Sequence, residues 1–164
     1  RIDKAILDFV RQRYNLHIGI RTAESVKVEI GTASPLDEPL KTTIKGRDNF
    51  GYLIHLELCD EEIRQAIKEP LAQMAMTLKN VLEVMPAELA SDIVDNGIVL
   101  TGGGAHIRGL DKYFSTVLEL PVRVADEPLF GVARGLSELL RNEELLQKVH
   151  GREKSHIPPK HIRL

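Results

Sequence analysis

Cysteine occurs once in the 164 residues. With Cys59 alone no internal disulfide can form, which suits a reducing cytosol. No apolar run approaches the ~18 residues of a membrane span, and no signal-peptide pattern is present. Neither sign of charge dominates, and a formal net charge of -2 removes the electrostatic case for a nucleic-acid partner. There is no Walker A loop, no Cys/His ligand pairing and no Ser/His/Asp order that argues for a triad. What is there is ordinary. A hydrophobic content of 43% with 28% charged residues describes a globular protein, either one domain or two small subdomains. The chain opens on Arg1 inside a helical pattern, which reads as a fragment of a longer protein.

The most informative stretch runs from Asn96 to Leu110. Ile98, Val99 and Leu100 are an apolar, β-branched-rich run that predicts a strand buried on both faces. Thr101 and the glycines Gly102, Gly103 and Gly104 end it, followed by Ala105. Helical spacing then resumes with Leu110, Tyr113, Phe114, Val117 and Leu118. Without Cβ atoms the glycines can adopt positive φ and turn their N–H groups toward an anion. A tight strand-to-helix turn with no ligand fits the spacing equally well.

Upstream, residues 2 to 14 read as an amphipathic helix built on Ile2, Ala5, Ile6, Phe9, Val10 and Tyr14. A second short helix is predicted with Thr22 as N-cap and Gly31 as C′ residue, placing Ala23, Val26 and Ile30 on one side. Glu24 and Lys27, three apart, share another side and could form an intrahelical ion pair. Residues 40 to 45 and 52 to 58 alternate as a hairpin around the turn Gly46–Gly51, with Phe50 at its tip either as a partner contact or folded back on the strands. Asp60 is expected to cap a long helix with the stripe Ile63, Ile67, Leu71, Met74, Leu78, Val81 and Met85, kinked or split at Pro70. A helix over 87 to 95 and a second core strand at Val122 and Val124 flank the glycine stretch. A final helix opens at Pro128, with Gly131 and Gly135 on one face for close packing. From Gly151 the composition predicts a flexible basic tail, and His150, His156 and His161 are too loosely spaced to argue for a metal.

Val99-Leu-Thr-Gly-Gly-Gly-Ala105 with Ile107-Arg-Gly-Leu-Asp111 closely resembles the adenosine-binding signature of the actin and sugar-kinase superfamily, in the version of the MreB-like bacterial actins. Ala23-Glu-Ser-Val-Lys-Val-Glu-Ile-Gly31 is similar to that family's nucleotide-contacting helix, and Ala125–Gly135 to the segment opening its closing helix. The resemblance covers roughly residues 1 to 145, the C-terminal half of such a protein. It implies an α/β, actin-like (ribonuclease H-like) ATPase fold. Residues 1–150 would form the C-terminal lobe, with an outer helix-plus-hairpin subdomain over about 20–85 and an inner α/β subdomain, and 151–164 the tail. It also implies nucleotide contacts at Glu24, Ser25, Val26 and Lys27 and at Gly102, Gly103, Gly104 and Ala105, with Glu24 on the ribose and the Lys27 stem along the base. The cofactor would be ATP, with Mg2+ in the intact protein. The partners would be other copies in a filament and membrane-associated cell-wall synthesis proteins, with membrane contact open, at the cytoplasmic face of the membrane. Neither Asp-x-Gly phosphate hairpin of the superfamily occurs in this chain, so these residues alone are expected neither to hydrolyse ATP nor to polymerise. Three other readings stay open: a segregating or organelle-positioning actin relative, a heat-shock chaperone ATPase, and a nucleotide-free scaffold.

Overall fold

A computed structural model describes residues 1–153. The elements are α1 (Ile2–Tyr14), α2 (Ile20–Ile30), β1 (Lys41–Arg47), β2 (Leu53–Cys59), α3 (Asp60–Glu83), α4 (Ala87–Asn96) and β3 (Ile98–Leu100). A 3-10 turn (Gly103–His106), α5 (Leu110–Leu118), β4 (Val122–Val124), a second 3-10 turn (Pro128–Phe130), α6 (Gly131–Arg141) and α7 (Glu143–Glu153) follow. The chain divides into two compact units, Arg1–Pro128 and Leu129 onward.

In the first unit, apolar stripes at helical spacing converge on one core. Ile6 and Val10 of α1, Ala23, Val26 and Ile30 of α2, Ile63, Ile67 and Leu71 of α3, and Leu110 and Phe114 of α5 are all buried there. Ile44 and Leu58 of the antiparallel β1–β2 hairpin close its side. β3 and β4 pair in parallel, Ile98 opposite Val122 and Leu100 opposite Val124, with the glycine turn and α5 as the crossover between them.

Several local expectations are corrected. Thr22 lies inside α2, which is capped by Gly19 with no side-chain hydrogen bond. Gly31 ends that helix in extended backbone, and it is glycine because a Cβ would stand 2.2 Å from the Lys27 carbonyl oxygen. Pro70 does not split α3, which runs unbroken for 24 residues. Ala75 is its last fully buried residue and Leu78 still packs half-buried on the core, whereas Met74 and Val81 of the expected stripe are exposed. Asp60 is the first residue of α3 rather than its cap; its Oδ1 accepts from the Leu40 N–H at 3.0 Å and Cys59 takes the cap position. β3 is not buried on both faces: Val99 is 44% exposed, while Ile98 and Leu100 are half-buried. Phe50 is 87% exposed, so it does not fold back on the hairpin.

The second unit holds α6 and α7, the latter absent from the sequence reading. Along α6, Val132, Leu136 and Leu140 are exposed. The basic tail was expected from Gly151; α7 continues through Glu153, and the rest of that segment, with His156 and His161, lies outside the described residues.

α1 and α3 are joined by a hydrogen bond that also sets a pH dependence. The Tyr14 hydroxyl donates to Glu62 Oε1, while Glu62 Oε2 accepts from the Cys59 N–H at 3.0 Å. Burial pushes the Glu62 carboxyl up, but hydrogen bonds from Tyr14 and Cys59 with the nearby Arg13 charge outweigh it and hold it below the ordinary range. The same bond to Glu62, with burial, raises the Tyr14 hydroxyl. A lowered carboxyl stabilises the fold above its unfolded value and loses that contribution as pH falls through the folded value. A raised phenol contributes below its unfolded value and loses it as pH rises through the folded one. Urea unfolding across pH should therefore show a plateau bounded by an acid edge from Glu62 and an alkaline edge from Tyr14. Tyr14→Phe should blunt both edges by less than about 1 kcal/mol, since the pair is partly in water. Identical pH profiles for the variant and the parent would remove this contribution.

Candidate functional site

The apolar spacing of α2 decides what its polar residues can reach. With Ala23, Val26 and Ile30 at 0–3% exposure, the helix is fixed in rotation; Glu24 and Ser25 face outward and Lys27 lies at the edge. The intrahelical Glu24–Lys27 pair does not form. Lys27 Nζ sits instead 2.7 Å from Asp3 Oδ1 in the first turn of α1. Glu24 has no hydrogen-bond or ion-pair partner among the described residues, so its carboxylate is free to accept. Ser25 Oγ donates to the Arg21 carbonyl at 3.1 Å. The Val26 side chain belongs to the core, which leaves it no surface for a ligand.

The glycine loop is built from strand pairing and one carbonyl. Gly102 has φ 83° and ψ 176°, a region open to glycine alone, and its N–H donates to the Pro128 carbonyl at 2.7 Å. Thr101 Oγ1 donates to the same carbonyl at 2.9 Å. The Gly102 N–H is therefore spent on the fold and not offered to an anion. The Ala105 N–H bonds the Gly102 carbonyl at 3.1 Å, and the Ala105 side chain is buried. The N–H groups of Gly103 and Gly104, at the start of the 3-10 turn, are without an acceptor among the described residues. A Cβ at Gly104 would meet no atom within 4 Å, so open space lies in front of the loop.

The two stretches are joined by contacts invisible in the sequence. Just past α2, the Ala33 N–H donates to the Arg108 carbonyl at 2.8 Å and the Arg108 N–H to the Gly31 carbonyl at 3.3 Å, a parallel bridge. The Arg108 guanidinium reaches the Val28 carbonyl at 3.3 Å. Thr32, fully buried, hydrogen-bonds through Oγ1 to the carbonyls of Ser34 and Arg108, and Ser34 Oγ donates to the Gly109 carbonyl at 3.0 Å. Ile30, Ala33, Ile107 and Leu110 fill the core beneath. α2 and the glycine loop thus share one frame: a free carboxylate, a lysine stem and two unpaired N–H groups, a set suited to a sugar, a flat base and an anion. Sequence reasoning singled out the Ile107-Arg-Gly-Leu run without a role for Arg108, and nothing in the local pattern pointed to Asp3. No group of three or more His, Cys, Asp or Glu is poised to hold a metal among the described residues.

This architecture is that of the actin-like ATPases. The chain belongs to the MreB/Mbl protein family, which it matches over residues 1–148. It is 39% identical over 149 residues to the cell shape-determining protein Mbl of Bacillus cereus, covering 90% of this chain and 45% of that protein. With the cell shape-determining protein MreB of Escherichia coli it shares 44% identity over 136 residues, 82% of this chain and 39% of the relative. The crystal structure of MreB5 of Spiroplasma citri bound to AMPPNP superposes with a TM-score of 0.83 at 33% identity, covering 92% of this chain and 45% of that one. The ADP-bound form of the same protein gives 0.82 at 36% identity, over 84% and 42%. The MamK double helical filament, at 21% identity and TM-score 0.71 over 86% and 43% of the two chains, shares the fold. The chain spans less than half the length of these relatives.

Proposed function

We propose that this chain supplies the adenosine-side wall of the nucleotide cleft in an ATP-binding bacterial actin, whose filaments determine cell shape by organising cell-wall synthesis at the inner face of the membrane. The observation that carries the reading is the Thr32–Arg108 bridge, which sets the exposed Glu24 and the unpaired Gly103 and Gly104 N–H groups on one frame. In this reading Glu24 accepts from ribose hydroxyls, the Lys27 stem lies along the adenine, and the glycine N–H groups meet the anionic side of the nucleotide. Residues of about 20–85 form the outer subdomain and the rest of the first 150 the inner one. Relatives that are cell shape-determining proteins, and an MreB5 that binds ADP and AMPPNP, support it. Mg2+ finds no ligand cluster among the described residues, so a metal would be held by the polyphosphate and by groups outside this set.

Glu24→Ala tests the reading. Calorimetric titration of the full-length gene product with ATP should show binding weakened by about 1–3 kcal/mol, the cost of one good polar contact. The melting temperature without nucleotide should not move, because the side chain is exposed and unpaired. Undiminished ATP affinity in the variant would refute the site.

A further inference from the structure

The Lys27 ammonium has a partner that the nucleotide reading does not explain. Its Nζ lies 2.7 Å from Asp3 Oδ1, and the two side chains are only 19% and 29% exposed. Asp3 Oδ1 is itself buried and has no other hydrogen-bond partner among the described residues, so this ion pair is what compensates it. The carboxylate is held firmly: it sits in the first turn of α1, where the helix dipole favours an acid, and Ile6 and Val10 anchor that helix in the core.

The pairing settles which part of Lys27 a ligand can meet. The charged end is turned to α1 and neutralised there, so it is not a free cation for a phosphate. What remains for a ligand to meet is the exposed part of the four-carbon stem, an apolar surface. A lysine stem in water samples many rotamers, and immobilising such a side chain on binding typically lowers affinity by a few-fold to tenfold. Here the ordering is already done in the folded chain by an ion pair between two helices. We propose that Asp3 is a positioning residue for the nucleotide: by tying the Lys27 ammonium to α1, it holds the stem as a fixed shelf for the adenine. The proposal rests on the nucleotide reading above. It adds a consequence that neither a purely structural ion pair nor a phosphate-binding lysine has. Asp3 acts on the base end, so its loss affects nucleotides of different phosphate number equally.

The test is a double-mutant cycle on the full-length gene product, titrated with ADP and with AMP. Asp3→Asn is expected to weaken both ligands by the same factor, about three- to tenfold. Lys27→Ala should weaken them at least as much, and adding Asp3→Asn to Lys27→Ala should cause no further loss. Asp3→Glu, which keeps the charge on a longer arm, should recover part of the affinity. Thermal unfolding establishes that each variant is folded; if Asp3→Asn is not, Asp3→Ser is read by the same criteria. Unchanged or tighter binding by Asp3→Asn beside a weakened Lys27→Ala overturns the positioning role and leaves the nucleotide reading standing. An equal loss in the Lys27→Ala background overturns it too, since Asp3 would then act through the fold. If Lys27→Ala binds both nucleotides like the parent, the Lys27 contact falls, and the proposal with it.

Discussion

Gly104→Leu is expected to remove ATP binding, by at least about a hundredfold, without disturbing the fold. A Cβ at this position meets nothing within 4 Å, and Gly104 is not among the glycines with positive φ. The folded chain should accept the substitution at no cost, and loss of unfolded-state freedom can even raise stability by several tenths of a kcal/mol. The new side chain instead fills the open space in front of the loop and shields the N–H groups of Gly103 and Gly104. Hydrogen bonds to a charged group contribute about 1.5–3 kcal/mol each. Losing both corresponds to roughly a hundredfold or more in affinity. Calorimetry with ATP on the full-length gene product, alongside a melting curve, separates the two effects. Parent-like affinity in a folded Gly104→Leu protein would mean that the loop meets no nucleotide.

Gly97→Ala should do the opposite, destabilising the chain by about 2–6 kcal/mol. Gly97 closes α4 at φ 73° and ψ -168°, a region in which an L side chain is strained by about 1–3 kcal/mol. A Cβ there would also stand 2.4 Å from the Pro121 carbonyl oxygen, an overlap that must push the backbone apart at a further cost of about 1–3 kcal/mol. That carbonyl accepts from the Ile98 N–H at 2.8 Å, where β3 begins to pair with β4, so the strain falls on the strand that presents the glycine loop. The urea midpoint should drop at unchanged slope. A drop worth less than 1 kcal/mol would show that the β3–β4 junction yields freely.

Much of the fold was legible because local apolar spacing reports which face of an element is buried. The stripes of α1, α2 and α5, the hairpin and the strand–glycine–helix order all appear in the chain where the periodicity places them. The glycine stretch and the Ala23–Gly31 helix also carried the resemblance, and membership of the MreB/Mbl family follows over residues 1–148. The misreadings have local causes. The side chains of Thr22 and Asp60 can cap a helix, but the chain entering each helix places Gly19 and Cys59 at the cap position instead. Pro70 lies within α3 without splitting it, since Ile63, Ile67 and Leu71 hold the helix against the core on both sides of it.

By itself the sequence determined the element types, the faces that go inward, the glycine turn and the kind of protein this is. Those properties rest on interactions within a few residues, and short-range spacing records them. Only the tertiary structure decided which polar groups are used and which are free. Lys27 is paired with Asp3 rather than Glu24, the Gly102 N–H is taken by the Pro128 carbonyl, and Arg108 bridges to Gly31 and Ala33. Each of these contacts joins residues far apart in the chain. A given polar side chain or N–H has many acceptable partners, and the choice among them is made by how the buried faces stack; that stacking leaves Glu24 and the N–H groups of Gly103 and Gly104 unpaired among the described residues.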